Sequence, residues 1–301
     1  MQNQYGLSRD IPADVKRIVR QRDGFGCVVC GKAIHDYEHF DPEFADATKH
    51  DPAGIILLCI SCHGKKTRGF LSKQTIAAAR QNPKCKQKGF SFEEFDIGTA
   101  PPEISIGDFG ATDVDTLIEI FGTKILSIST PAEAHLPFTI NALLTDRNGN
   151  TILKIVDNEW QSSVENWDVE TGGGKITIRH GPGDIVLVIR TEPPSKLIIE
   201  RLDMYHRGAS IKCREGQPIS ITMPDGGIIV GERVTVRGCE IGIKIDSQGI
   251  AFGVGGGYLH LGRLSGEGQV RRRMNLSGSL SRNSVCTCGS GRKYKHCCGR
   301  Y

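Results

Sequence analysis

A chain of 301 residues, 38% hydrophobic and with a formal charge of +4, has room for about two domains. It has no apolar run near the ~18 residues that a membrane-spanning helix needs, and the polar opening from Met1 to Asp10 lacks a signal-peptide core, so a cytoplasmic protein with no membrane partner is expected. The charge is uneven, +3 over residues 1–100, −7 over 101–262 and +8 over 263–301, which assigns polyanion-binding surfaces to the two ends.

Eight of the 11 cysteines fall into close pairs: Cys27/Cys30, Cys59/Cys62, Cys286/Cys288 and Cys297/Cys298. The odd total argues against a disulfide framework, and the pairing predicts two four-thiolate metal sites. Cys85, Cys213 and Cys239 remain as ordinary thiols.

In chain order, residues 10–23 read as an amphipathic helix. Asp10 is the candidate cap, Pro12 suits the first turn, and Val15, Ile18 and Val19 share a face that Lys16, Arg17 and Arg20 avoid. Residues 26–62 read as short strands broken by Gly31, Pro42, Pro52 and Gly54. Two Cys-x-x-Cys pairs with 28 residues between them are a zinc signal. Four thiolates close a tetrahedron, so such a metal staples the fold, contributing on the order of 10 kcal/mol in small modules. A second helix is predicted from Ser72 to Gln81, stopped by Pro83. From Lys65 to Lys88 the chain holds eight Lys/Arg and no acidic residue, the composition of a phosphate track.

Three pieces of this segment, "RQRDGFGCVVCG", the Glu38–His39 pair and "IILLCISCHGKKT", together resemble the zinc-stapled HNH endonuclease family over residues 9–82. The resemblance implies a ββα-metal finger in which His39 is the general base, while Glu38 and His63 hold a catalytic Mg or Mn ion. It implies hydrolysis of DNA phosphodiester bonds to 5′-phosphate and 3′-hydroxyl ends, one strand per active site, with Arg20, Arg22, Lys65, Lys66 and Arg68 on the nucleic acid. Family habit points to bacterial defence or a mobile element. Gly54 stands where the family has its middle Asn; glycine can make the same turn, and His50 and Asp51 are candidates to replace the side chain. His35 is expected to face solvent. Two rival readings are a non-catalytic zinc-stapled adaptor, favoured by Gly54 and opposed by the retained Glu38, His39 and His63, and an RNA-directed nuclease.

Residues 98–112 read as a linker and 113–121 as a short helix ended by Gly122. From about residue 137 the pattern turns to strands. "FTINALL" and "TILKIVD" flank an Asn-Gly turn, and eight further strand-like stretches run to residue 246. Their spacing fits a β-sandwich, a barrel or a short solenoid, the sandwich being the commonest. With Trp160 and Trp167 in its core and no catalytic cluster, this β-rich region, 113–262, reads as a regulatory or sensing module. Residues 263–283 form a basic Gly/Ser/Arg tether. The last segment, "CTCGSGRKYKHCCG", resembles the SEC-C motif over residues 284–300. That resemblance implies one zinc on Cys286, Cys288, Cys297 and Cys298, and a protein, ribosome or nucleic-acid partner. The expected class is an α+β multidomain chain: nuclease domain 1–97, linker 98–112, β domain 113–262, tether 263–283 and zinc motif 284–301.

Overall fold

The computed structural model describes residues 2–267. The chain divides into two compact units, Met1–Val270 and Arg271–Tyr301. The SEC-C segment and most of the expected tether lie outside the described residues.

The N-terminal part contains α1 (Ala13–Asp23), β1 (Asp36–His39), β2 (Ile55–Leu58), α2 (Ile60–Thr67), α3 (Lys73–Gln81), α4 (Lys84–Lys88) and β3 (Phe90–Glu94). There follow β4 (Glu103–Ile106), β5 (Phe109–Ile120), β6 (Thr123–Ser129), β7 (Thr139–Thr145), β8 (Thr151–Val156), β9 (Glu159–Ser163), β10 (Asp168–Gly172) and β11 (Lys175–Gly181). The last are β12 (Asp184–Glu192), β13 (Lys196–His206), β14 (Ala209–Arg214), β15 (Ile219–Thr222), β16 (Ile228–Asp246), β17 (Gly249–Val254) and β18 (Tyr258–Glu267). No helix among the described residues is long and apolar enough to cross a membrane.

β1 and β2 pair antiparallel as a two-stranded sheet, and the other strands form one 16-stranded system. Within it, β13, β14, β15, β16, β5 and β4 close into a six-stranded barrel, because β4 pairs both with β5 and, in parallel, with β13. β5 also runs parallel to β16. Ile104, Ile106, Phe109, Ile199, Ile211 and Ile243 belong to the large apolar core of this body. From the barrel the sheet continues through β6 to β9 on one side and β12 to β10 on the other.

The chain is mainly β, 51% strand and 14% helix, and the class is not α+β with a leading ββα-metal finger. The N-terminal residues do not stand apart as such a finger: β3 is a strand of the large sheet on β9, and Phe25 and Ala33 enter the large core. Residues 98–112 are not a plain linker, since they contain β4 and the start of β5, and 113–121 is strand rather than helix. Val114, Thr116, Ile118 and Ile120 are buried while Asp113 and Asp115 are exposed, a period of two that a helix does not produce. Finally, "GIIVG", "RVTVRG" and "IGIKID" are one 19-residue strand, β16. Gly238, at a φ of 64°, falls between the stretch paired with β18 and the stretch paired with β17, so a residue that reads as a terminator bends the strand instead. Residues 263–267 of the expected tether end β18.

α1 is bound to the β body by a charge. Arg20, 3% exposed, forms a bidentate pair with Asp168 of β10 at 2.8 and 2.7 Å and donates to the Tyr37 hydroxyl of β1 at 2.7 Å. Burial opposes the charge, but the Asp168 hydrogen bonds and Tyr37 outweigh it and raise the Arg20 pKa. The first helix, the first hairpin and the large sheet thus meet at one guanidinium. The expected apolar face is displaced accordingly: Val19 is buried, but Ile18 is 51% exposed.

Removing the carboxylate strands a buried cation, which costs about 3–5 kcal/mol. Asp168→Ala is expected to lower the urea midpoint by a corresponding amount. The double variant Arg20→Leu, Asp168→Leu is expected to recover part of the loss, as read by urea denaturation followed by circular dichroism.

Candidate functional site

The first site is built on β2. Its four residues are all buried, with Ile56 and Leu58 facing the thiol cluster and Ile55 and Leu57 facing α1. A strand covered on both faces needs no polar alternation, hence the unbroken "IILL". Cys59 follows as the N-cap of α2, its Sγ accepting from the Cys62 amide at 3.4 Å. The first pair sits on a tight turn in which the Gly31 amide donates to the Cys27 carbonyl at 2.9 Å and Gly31 takes a φ of 90°. The Val28 amide ties that turn to Leu57 of β2 at 3.0 Å.

Sγ atoms of Cys27, Cys30, Cys59 and Cys62 lie within 4.8 Å of one another, and none is in a disulfide. Cys30 and Cys59 sulfurs are 3.6 Å apart. Tetrahedral zinc–thiolate bonds of ~2.3 Å place sulfurs ~3.8 Å apart, so the set fits zinc. Cys85 and Cys213 are different: burial pushes each thiol up to about 12, which makes them inert.

The second site grows from the clamp. His63 and Lys66 are one turn apart on α2 and both reach Glu38 of β1. His63 Nε2 lies 3.0 Å from Glu38 Oε2, and Lys66 pairs with Oε1. Cis ligands of an octahedral ion at ~2.1 Å are about 3.0 Å apart, so this oxygen and nitrogen can share one divalent cation. The His63 side chain is 42% exposed and that of Glu38 19%, so solvent reaches the pair from the histidine side. Among the described residues, only the four thiols gather three or more ligand atoms this tightly; Glu38 and His63 are a two-ligand set.

His39, next along β1, does not join that pair. Its Nε2 faces His50 Nδ1 at 3.1 Å, and Phe44 packs edge-on against its ring at 5.2 Å. Burial and then the neighbouring His50 lower the His39 pKa below its usual value. Glu38 and His39 nevertheless line one cleft of about 560 Å³, shared with Arg9, Tyr37 and Glu43. Neither Arg9 in the cleft nor His50 against His39 was expected from the sequence.

At Gly54, a Cβ would stand 2.5 Å from the Asp41 carbonyl oxygen. The Phe40 and Asp41 amides donate to the Gly54 carbonyl at 2.8 and 3.2 Å, and Asp51 Oδ1 accepts from the Ala53 amide at 2.9 Å. The loop is therefore held by backbone bonds and by Asp51, and His50 is spent on His39. Of the expected phosphate contacts, Lys65 is exposed on α2 and Arg68 is exposed at its C-cap. Arg20 is buried on Asp168, and Arg22 is occupied by Asp23 and the carbonyls of Pro52 and Ile55, so both are structural. Lys66 is engaged with Glu38. His35 is half-buried and bonded to the Ala33 carbonyl at 2.6 Å rather than facing solvent, and Trp167 is half-buried under Arg17.

A family model of the SEC-C motif, a zinc-binding motif, matches residues 282–300, and no HNH family model matches the chain. No solved structure matches it significantly. The chain is expected to hold two zinc ions, and Cys59→Ser to hold one, measured as metal content after gel filtration. Gly54→Ala is expected to destabilise by about 1–3 kcal/mol through the clash with Asp41 while leaving zinc content unchanged.

Proposed function

We propose that the chain is a metal-dependent endonuclease whose reacting centre is Glu38, His63 and His39. The carrying observation is the meeting of the Glu38 carboxylate and the His63 imidazole 3.0 Å apart, on a helix whose first turn is fixed by the thiol clamp. A zinc staple needs only its cysteines; it has no use for a solvent-open histidine–carboxylate pair one residue beyond. The likeness of "EH" and "CISCHGKK" to HNH sequences supports the same reading.

Glu38 and His63 would hold a Mg or Mn ion, which would supply Lewis-acid stabilisation of charge on the phosphate and on the departing 3′ oxygen. His39 is neutral at physiological pH and takes a proton from the attacking water. The water oxygen bonds to phosphorus as the P–O3′ bond breaks, and the 3′ oxygen is protonated from solvent. Lys66 holds the outer oxygen of Glu38 and keeps the inner one turned to His63. Lys65 and Arg68 bind the phosphates that flank the scissile bond. One such centre cuts one strand, and DNA is the substrate. A role in bacterial defence suits this chemistry, with the SEC-C segment recruiting a partner.

Supercoiled-plasmid nicking in Mg or Mn tests the proposal. His39→Ala and His63→Ala are expected to lose about 10²-fold or more at unchanged zinc content. Equal nicking by all three proteins rules the centre out. No nicking by any of them, on plasmid DNA or on structured RNA, makes the chain a zinc-stapled adaptor.

A further inference from the structure

A second cleft, of about 330 Å³, opens where the residues between the first cysteine pair and β1 meet the β body. Its volume lies at the lower end of small-ligand sites. Phe95 and Trp160, both nearly buried, give it an aromatic floor, with ring centroids 6.2 Å apart. Three polar side chains with unused acceptors line it: Glu94, Asp96 and His35. Glu94 and Asp96 are exposed, and no hydrogen bond or ion pair satisfies either of them among the described residues. Lys175 also lines the cleft and is paired with Glu200 at 2.8 Å; Lys32, beside it, is taken by Glu93 at 2.7 Å.

The His35 tautomer is fixed by its neighbour. A carbonyl oxygen only accepts, so Nδ1 carries the proton that bonds Ala33 at 2.6 Å. Burial pushes the His35 pKa down to about 4, which leaves Nε2 an unprotonated acceptor. Glu94 also stands directly opposite Glu159 across β3 and β9, a like-charge pairing that costs stability unless a cation offsets it. The rim is kept bare as well. Gly172 has no positive φ, and a Cβ there would meet no atom within 4 Å, so the backbone does not demand glycine.

We propose that this cleft binds an organic ammonium, with an apolar body on Phe95 and Trp160 and a protonated amine or guanidine head among Glu94, Asp96 and His35 Nε2. The side-chain groups of the cleft left without any partner, the Glu94 and Asp96 carboxylates and His35 Nε2, all accept, and the aromatic floor favours a cation over a neutral ligand. The lining comes from both the cysteine-bearing segment and the β body, so the ligand bridges them. This assignment does not depend on the nuclease proposal.

The test uses the full chain in a Trp167→Phe background, so that Trp160 is the sole tryptophan reporter. Phenethylamine, agmatine and spermidine are titrated beside phenethyl alcohol and phenylacetate, with fluorescence and ligand-observed NMR as readouts. At least one amine is expected to bind. The alcohol and the acid are expected to bind at least about tenfold more weakly than phenethylamine. Glu94→Gln and Asp96→Asn, both at exposed positions, are expected to weaken the amine about tenfold without lowering the melting temperature. Equal binding of the alcohol or the acid, amine binding indifferent to both substitutions, or no binding by any of the three amines at ~10 mM overturns the proposal.

Discussion

A guanidinium shut away from water must find its partners inside the protein, and for Arg20 those partners define how the N-terminal third is placed. Asp168 takes two of its donors and Tyr37 a third. Tyr37 is the neighbour of Glu38, so the residue that fixes α1 to the large sheet also fixes the strand carrying the candidate site. One turn further along α1, the fully buried Asp23 accepts from the Leu57 amide at 2.9 Å and holds the other strand of the hairpin.

The candidate site therefore has two independent anchors. Glu38 is placed through β1 and the Arg20 cluster; His63 is placed through α2 and the four thiols. The 3.0 Å between them depends on both. Gly54 joins the two systems at the loop between the strands, where the chain passes too close to Asp41 for a side chain and where two amides converge on one carbonyl. A residue that looks like a missing functional group in sequence is, in the structure, a backbone crossing that only glycine permits.

What could be read from the sequence was local. The thiol clamp follows from spacing, α3 from the stretch that Pro83 stops, and the β7–β8 hairpin from its turn; in the structure the Ser72 hydroxyl caps α3, accepting from the Thr75 amide at 3.0 Å. What could not be read was held by partners far along the chain. Arg20 looks like a surface charge because nothing near it signals Asp168, 148 residues away. β4 looks like linker because its two neighbours are β5 and the distant β13. The acceptor-lined cleft is assembled from five separate stretches, and no window of sequence contains it. The mainly β class was missed for the same reason: cysteine and histidine spacing drew attention to the hairpin and hid the strand content of its surroundings.

The long-range wiring of the first hundred residues sets a limit on their portability. Metal-stapled segments are often treated as cassettes that can be moved from one protein to another. Here such a transplant would carry β3 without β9, Phe25 and Ala33 without their core, and a sealed guanidinium without its carboxylate. Any inheritance of this segment by another chain would have to bring the sheet with it, so the hairpin and the β body are expected to travel through evolution as one piece.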